Sequence, residues 1–250
     1  MNVIFVENFC KLESSFKDLN AIILIQHTNK IKERIEYLNL LLKSLENDEF
    51  EKDINVYIMK NFGHNPNHAF LSNLKIAFEY NNFDYLIHFQ DDVIVVKNFL
   101  SFCKYIINNK KDVDFVGFFN NSSTFTNYAM NKNNFLIKID NSNFGWIIYL
   151  NANIISKRFA KSYLNEMFYN FEFLNIIETY KSKFKYYDIK HDDHWVRYYI
   201  SKNYKRFNCY LTKVSLVEHI GQISVMKNPQ KRARVLFSPN DNILNYINII

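Results

Sequence analysis

The sequence predicts a single α/β domain in which helices cover both faces of a mainly parallel, mixed sheet. The chain has 250 residues, enough for one large domain with a substantial core, and 48% of them are hydrophobic. Short apolar runs of strand type alternate with segments of helical periodicity in the first half. No repeat, linker or low-complexity stretch divides the chain. We therefore expect one domain spanning residues 1–250.

The strands and helices of the first half follow one another in order. AIILIQ (21–26) is the first predicted strand, and the helix after it has apolar residues at 31, 35, 38, 42 and 45, with Thr28 as its N-cap. The next predicted strands are INVYIM, DYLIHF and DVDFVGFF, separated by the helices AFLSNLKIAFEY and VKNFLSFCKYIINN. Such alternation with short connections is typical of a parallel sheet.

The second half of the chain is less regular. NSNFGWIIYLNANII (141–155) predicts a strand after Gly145, and residues 157–180 predict one or two helices. HDDHWVRYYISKN (191–203) predicts a helix, and LTKVSLVEHIGQISVM (211–226) a strand that runs into a polar turn. The tail, residues 227–250, is basic and then apolar.

Charge and cysteine usage limit the possible partners and location. The net charge of +6 favours anionic partners, although the excess of Lys and Asn is also what an AT-rich coding bias produces. The three cysteines form no CxxC pair, which suits a reducing interior. The N-terminal residues lack a signal-peptide pattern, and no apolar run reaches the roughly 18 residues of a membrane span. We expect a cytoplasmic protein without integral membrane association.

Two adjacent carboxylates, Asp91 and Asp92, end the third predicted strand in the sequence QDDV. Apolar strands seldom end in buried charges that lack a partner. Mg²⁺ and Mn²⁺ bind carboxylate oxygens and keep open positions for substrate phosphates. Ligands of parallel sheets gather beyond the carboxyl ends of the strands, where His27 and Asn61 are also expected. A solvated Asp-Asp turn is the alternative interpretation.

Two later motifs could belong to the same site. His219 ends the strand in LVEHIGQISVM, where a neutral imidazole can complete a metal shell, and Gly221 allows the backbone to pass close to a diphosphate. A lone strand-end histidine is more often structural, but QDDV upstream favours the functional interpretation. In HDDHW, the cluster of His and Asp could bind a metal of its own, or Asp192 could be an N-cap.

The order of these elements resembles the GT-A fold glycosyltransferases from about residue 21 to residue 225. QDDV resembles their DxD-type metal motif, and the His-Ile-Gly segment resembles the C-terminal segment of several of these enzymes, including branching N-acetylglucosaminyltransferases. The resemblance implies a Rossmann-like domain with a nucleotide-sugar-binding half at about 20–120 and an acceptor and catalytic half at about 121–226. Gln90 departs from the more usual acidic residue of this motif.

The resemblance also implies an activity. A hexosyltransferase of this type moves a sugar from a nucleotide sugar, most often a UDP-sugar, to an acceptor hydroxyl, here with inversion favoured. The cofactor would be Mn²⁺ or Mg²⁺, bound by Asp92 and His219, while Asp91 would contact the ribose or the sugar. Asp193 would be the general base, with Asp192 as the alternative.

The resemblance also implies which residues bind the nucleotide sugar and which bind the acceptor, from their positions along the chain. The implied nucleotide-sugar-binding residues besides Asp91 are His27, Thr28, Asn29, Arg34, Asn61, Asn73, Gly221 and Lys227. The implied acceptor-binding residues are Gly145, Trp146 and Trp195, although a core role for Trp195 is equally possible. The acceptor would be a glycan or, as in viral or phage-type enzymes, a hydroxymethylated base in DNA gripped by the basic tail.

Two other functions fit parts of the sequence. A two-metal nuclease or phosphoesterase could use Asp91, Asp92 and the HDDH cluster around two ions. A catalytically silent sugar- or nucleotide-binding module would keep the same fold. The chain has no GxGxxG and no GxxxxGK[ST] motif, which disfavours NAD binding and ATP hydrolysis. The order of the motifs along the chain favours the transferase.

Overall fold

The structure is a computed structural model that describes residues 1–28, 32–60, 66–110, 112–141, 144, 147–169, 192–221 and 242–244. The side chains at 66–68, 167–169 and 192–193 are outside this description. Within these ranges, no helix has both the length and the apolar character needed to cross a membrane.

An eight-stranded sheet has the order β1-β3-β2-β4-β8-β6-β9-β7. Strands β1–β4, β6 and β9 run in one direction, and β7 and β8 run in the other. A separate two-stranded ribbon pairs β5 with β10. The strands are β1 Asn2–Val6, β2 Ala21–His27, β3 Asn55–Lys60, β4 Tyr85–Gln90, β5 Val93–Val95, β6 Phe115–Gly117, β7 Leu136–Lys138, β8 Ala152–Ser156, β9 Cys209–Thr212 and β10 Val217–His219.

Helices pack on both faces of this sheet. Apolar residues of α1 and α3 form one core cluster with one face, while α2, α4, α5 and α6 form a second cluster with the other face. The helices are α1 Glu33–Leu45, α2 Pro66–Lys75, α3 Phe99–Asn109, α4 Ser123–Met130, α5 Lys157–Tyr169 and α6 Asp192–Asn203, and a π-helical turn, Ile76–Tyr80, continues α2. These layers confirm the predicted α/β class with a mainly parallel, mixed sheet flanked by helices.

The first helix differs from its prediction in a way that bears on the site. It begins at Glu33, after Lys32, so Thr28 is not its N-cap. Ile35, expected in the core, is 49% exposed, whereas Arg34 is only 8% exposed. The inner face of α1 therefore carries a cation at its first turn, directed towards the end of β4.

The strand predicted at 211–226 is two strands in the structure. β9 belongs to the main sheet, while β10 leaves it and pairs antiparallel with β5, placing His219 opposite Val93. Likewise, the strand predicted after Gly145 begins only at Ala152, and it runs antiparallel to β4. The N-terminal edge strand β1 was not predicted at all.

Candidate functional site

The carboxyl ends of β2 and β4 bring the predicted site residues together. The two strands are parallel with Gln26 opposite Gln90, so the residues that follow them are neighbours. His27 ends β2, and Asp91 and Asp92 follow β4. All three are buried, with the two aspartates 2% and 3% exposed. The structure therefore places the QDDV carboxylates at the sheet edge that the sequence predicts, but inside the protein.

Both carboxylate oxygens of Asp91 already have partners. Its Oδ2 lies 2.7 Å from His27 Nδ1 and accepts a hydrogen bond of 3.2 Å from the backbone N–H of Thr28. Its Oδ1 accepts a hydrogen bond from Arg34 Nη1. Asp91 thus orients Arg34 and His27, two of the predicted nucleotide-binding residues, and joins the ends of β2 and β4 to α1.

Asp92 differs from Asp91, because only one of its two carboxylate oxygens has a hydrogen-bond partner in the described part of the chain. Its Oδ2 lies 2.7 Å from Arg34 Nη1 and 3.0 Å from His219 Nε2. The β5–β10 ribbon fixes His219 there, since the backbone N–H of Ile220 donates to the carbonyl of Asp92 at 2.9 Å. Oδ1 of Asp92 is buried without a hydrogen-bond partner in the described part of the chain, as is Nδ1 of His219.

The charged forms of Arg34 and Asp92 stabilise each other, as the directions of their pKa shifts show. Burial alone would raise the pKa of Asp92, but the His219 hydrogen bond and the Arg34 charge outweigh burial and hold that pKa below its ordinary value. Burial lowers the pKa of Arg34, but the carboxylates of Asp92 and Asp91 more than compensate and raise it. The imidazoles of His27 and His219 contact the same carboxylates, so Asp91 and Asp92 each have two basic partners.

Gly221 makes this close packing possible. A Cβ at this position would lie 2.6 Å from Asp92 Oδ2 and 3.0 Å from Asp92 Cβ. No other residue therefore fits without displacing the carboxylate. The sequence predicted that Gly221 would allow a close approach of the backbone to a ligand; in the structure the close approach is to the carboxylate of Asp92.

Asp92 and His219 fit a divalent metal as a partial ligand set. Oδ1 of Asp92 and Nδ1 of His219 are the atoms left for such an ion, because Oδ2 of Asp92 is held by Arg34 and by His219 Nε2. No group of three or more His, Cys, Asp or Glu residues suited to a metal occurs in the described ranges. The protein would therefore contribute two ligands from this cluster and leave positions for phosphate oxygens or water.

A second polar group lies on the opposite face of β4, and Asn73 is the one member of it that the sequence predicted as a site residue. His88 Nε2 lies 3.3 Å from Gln26 Oε1, and Asn151 donates to Gln90 Oε1 at 3.2 Å. Asn73 of α2 is fully buried on this side, and neither its amide oxygen nor its amide nitrogen has a hydrogen-bond partner in the described part of the chain. Such buried amides are the usual polar lining of binding sites. The sequence signal for this polar group was the pair of polar residues at 88 and 90, which lie on the same face of an otherwise apolar strand.

Aromatic contacts connect α6 to the carboxylate cluster. The Phe119 ring lies 6.4 Å from the ring of His219 and 5.3 Å from that of Tyr149. The guanidinium of Arg197 lies 4.0 Å from the centroid of the Tyr149 ring, and Arg197 Nε donates to the carbonyl of Ile148. Asp193 is one helical turn before Arg197, so the beginning of α6 is held on the side of the molecule that contains the cluster.

The remaining predicted site residues are placed only in part. Asp192 and Asp193 begin α6, but their side chains are not described. Trp195 is 4% exposed and packs in the core, the alternative that the sequence left open for it. Five predicted residues lie outside the described residues: Asn29, Asn61, Gly145, Trp146 and Lys227.

Comparisons with known proteins find similarity in overall structure alone. No protein-family model and no curated protein matches the sequence. Among solved structures, the chain is similar to A197 from STIV, with 11% identity, a TM-score of 0.42 and coverage of 89% of this chain and 97% of that one. It is also similar to a glycosyltransferase involved in glycosylation of the major capsid of PBCV-1, with 12% identity, a TM-score of 0.43 and coverage of 81% and 94%. At these identities and TM-scores, neither similarity identifies a family.

Proposed function

We propose that the chain is a metal-dependent glycosyltransferase of the hexosyltransferase type, using a nucleotide sugar as donor. The observation that carries this proposal is the environment of Asp92 at the carboxyl end of β4. Its Oδ1 is buried and has no partner in the described part of the chain, while Oδ2 is held by Arg34 and His219. A buried, ionised oxygen without a partner is costly to the folded protein unless a ligand completes it.

The metal, together with the donor diphosphate, would be the ligand that gives Oδ1 of Asp92 a partner. Asp92 and His219 are the residues that would hold Mn²⁺ or Mg²⁺, which when bound stabilises the negative charge of the departing diphosphate. Arg34 holds the carboxylate of Asp92 in place, and Asp91 with His27 holds Arg34. This network fixes the geometry of Asp92 before any ligand arrives, so little rearrangement is needed on binding.

For the chemical step we propose a carboxylate base at the beginning of α6. Asp193, or Asp192 beside it, would take the proton from the acceptor hydroxyl as that oxygen attacks the anomeric carbon, giving inversion. The contacts of Arg197 with Tyr149 and with the Ile148 carbonyl support this assignment, because they hold the helix near the cluster. The proposed donor is a UDP-sugar, and the proposed acceptor is a glycan or a hydroxymethylated base in DNA.

The environment of Asp91 disfavours the two-metal nuclease or phosphoesterase. Such an enzyme needs several carboxylates with oxygens free to bridge two ions. Asp91 offers none, since Arg34, His27 and the N–H of Thr28 occupy both of its oxygens. A silent binding module would bind the donor but show no turnover, which activity measurements distinguish.

Titration with a panel of nucleotide sugars, with and without Mn²⁺, tests the proposal. We expect the wild type to bind one donor in a metal-dependent manner and to hydrolyse it slowly. Asp92→Asn should weaken metal-dependent binding by about 100-fold or more, because the amide is a poor ligand for a hard cation. Unchanged Mn²⁺-dependent affinity in this variant would rule out Asp92 as the metal ligand.

The proposed base is tested separately with Asp193→Asn. We expect kcat to fall by about 10²–10⁴-fold while donor affinity changes little, since an amide cannot accept the proton. If Asp192→Asn abolishes turnover instead, the general base is Asp192. If neither variant slows transfer, the inverting mechanism with a base in HDDHW is wrong.

A further inference from the structure

Strand β1 is an apolar strand at the edge of the sheet. It pairs with β3 on one side and is the first strand in the sheet order. Val3 and Ile4 are each 37% exposed, and Phe5 is 51% exposed. Phe9, just after the strand, is 44% exposed and stacks on Tyr80, itself 46% exposed, with ring centroids 4.9 Å apart. Five of the nine exposed large hydrophobic side chains in the described ranges therefore lie at this one edge.

The backbone of β1 also has hydrogen-bonding groups directed away from β3, towards an edge that has no neighbouring strand in the described part of the chain. The N–H of Asn2 donates to the carbonyl of Ile54 at 2.8 Å, just before β3. Backbone groups alternate in direction along a strand, so Asn2, Ile4 and Val6 face β3 while Val3 and Phe5 face outward. Proteins usually protect such edges with Lys, Pro, a bulge or a short strand. NVIFV contains no charge and no proline.

We propose that β1 pairs with β1 of a second copy of the chain, antiparallel about a two-fold axis at Ile4. This register sets Val3 opposite Phe5 of the other copy and Ile4 opposite Ile4. The outward N–H and C=O groups of Val3 and Phe5 then form four hydrogen bonds across the axis. The two eight-stranded sheets become one continuous sheet through an isologous interface.

The strand sequence favours a copy of itself over an unrelated partner. Every cross-strand pair within Val3–Phe5 is apolar, and such pairs stabilise adjacent strands. Glu7, the first charge after β1, would lie beyond the start of the other copy's strand and not opposite its own symmetry mate. The exposed apolar side chains within the paired segment are those of Val3, Ile4 and Phe5. Three side chains and the strand backbone per copy make an interface at the small, weak end of the range, so we expect a concentration-dependent dimer.

Sedimentation velocity of the full chain over a wide range of micromolar concentrations tests this inference. We expect the wild type to shift from monomer to dimer as concentration rises. Val3→Pro removes one outward N–H without affecting the bonds to β3, a position where edge strands tolerate proline, and should weaken dimerisation at least about tenfold. Val3→Thr has a similar shape and keeps the N–H, so it should dimerise like the wild type.

A second pair of variants tests the apolar side chains. Ile4→Lys places two like charges opposite each other at the axis and should give a monomer. Ile35→Lys is the matched control, because Ile35 is also exposed but lies on α1. Circular dichroism verifies that each variant is folded, and Ile4→Lys decides the question if Val3→Pro does not fold. A wild type that stays monomeric at every concentration, or a dimer that survives both Val3→Pro and Ile4→Lys, overturns the proposal. None of these measurements depends on glycosyltransferase activity.

Discussion

Arg34 shows how one buried cation can organise a pair of carboxylates. Its Nη1 is within hydrogen-bonding distance of both Asp91 and Asp92, and the side chain is 10% exposed. Buried ion pairs seldom add much net stability, because the desolvation of the charges offsets their attraction. In the proposed function, Arg34 would keep Asp92 ionised and oriented. The sequence indicated Arg34 only as a candidate contact for the nucleotide.

His88 should make the stability of the protein depend on pH. It is fully buried, its ring lies 5.2 Å from that of Phe70, and burial lowers its pKa from 6.5 to about 3. Between these two values the unfolded chain binds a proton at this residue that the folded protein does not. The free energy of unfolding should therefore decrease as pH falls from 6.5, by about 1.4 kcal/mol per pH unit from this residue alone.

Urea unfolding of the wild type and of His88→Gln at several pH values between about 7 and 5 measures this effect. The other six histidines contribute to both proteins and cancel in the difference. We expect the variant to be less stable near neutral pH but to lose less stability on acidification. Parallel pH profiles for the two proteins would show that His88 is not held neutral in the folded state.

Among the secondary-structure elements, the β5–β10 ribbon does most to assemble the site. It joins segments 127 residues apart, so that His219 contacts Asp92. Each strand has three residues, too few for a periodic pattern to predict their pairing. Sequence reasoning identified both side chains through their chemistry and a family resemblance, but it placed His219 at the end of a long strand of the main sheet.

Substitution of the two described glycines separates the role of this ribbon from general packing. A Cβ at Gly221 would meet Asp92 Oδ2 at 2.6 Å, and a Cβ at Gly117 of β6 would meet Leu211 Cδ2 at the same distance. Both Gly221→Ala and Gly117→Ala should lower the free energy of unfolding by about 1–3 kcal/mol through overpacking. Only Gly221→Ala should also impair metal-dependent donor binding, because it displaces the carboxylate.

Calorimetric titration of both glycine variants with donor and Mn²⁺, alongside urea unfolding, makes this comparison. If both variants bind donor as tightly as the wild type, the position of Asp92 beside the ribbon does not matter for binding. Loss of binding in Gly117→Ala as well would indicate a general effect on the sheet.

For the molecule as a whole, strand–helix alternation was enough to predict the α/β class and the sheet edge where the site lies. The direction of β8 was not predictable, since an apolar strand such as ANIIS is compatible with either direction. Asn73 was predicted as a nucleotide-binding residue, but its polar neighbour His88 was missed because a single histidine looks like a tolerated exception in an apolar strand. Strand β1 was missed because its five residues, NVIFV, are too few to show a strand period.

The fold also contains a buried aspartate outside the site, Asp114, which the sequence does not distinguish from the site aspartates. Asp114, just before β6, is 1% exposed and pairs with Arg158. Its Oδ1 accepts from Ser156 Oγ at 3.0 Å and from Arg158 Nε at 2.8 Å. Its Oδ2 accepts from the N–H of Asn208 at 2.8 Å and from Arg158 Nη2. Asp114 thus ties α5, β6, β8 and the approach to β9 together, with both oxygens fully used.

The same substitution should therefore affect stability and donor binding to different extents at Asp114 and Asp92. In Asp114→Asn, the amide NH₂ must face an N–H of Arg158 in either orientation, so we expect a loss of about 2–4 kcal/mol in the free energy of unfolding. In Asp92→Asn, the amide oxygen can keep the contacts with Arg34 and His219, and its NH₂ takes the place of the partnerless Oδ1. We expect a loss of only about 1 kcal/mol there, with metal-dependent donor binding abolished. Urea unfolding and calorimetry at a temperature where both variants are folded test the contrast, and an Asp92→Asn variant that is the less stable of the two and still binds donor would make Asp92 a structural residue.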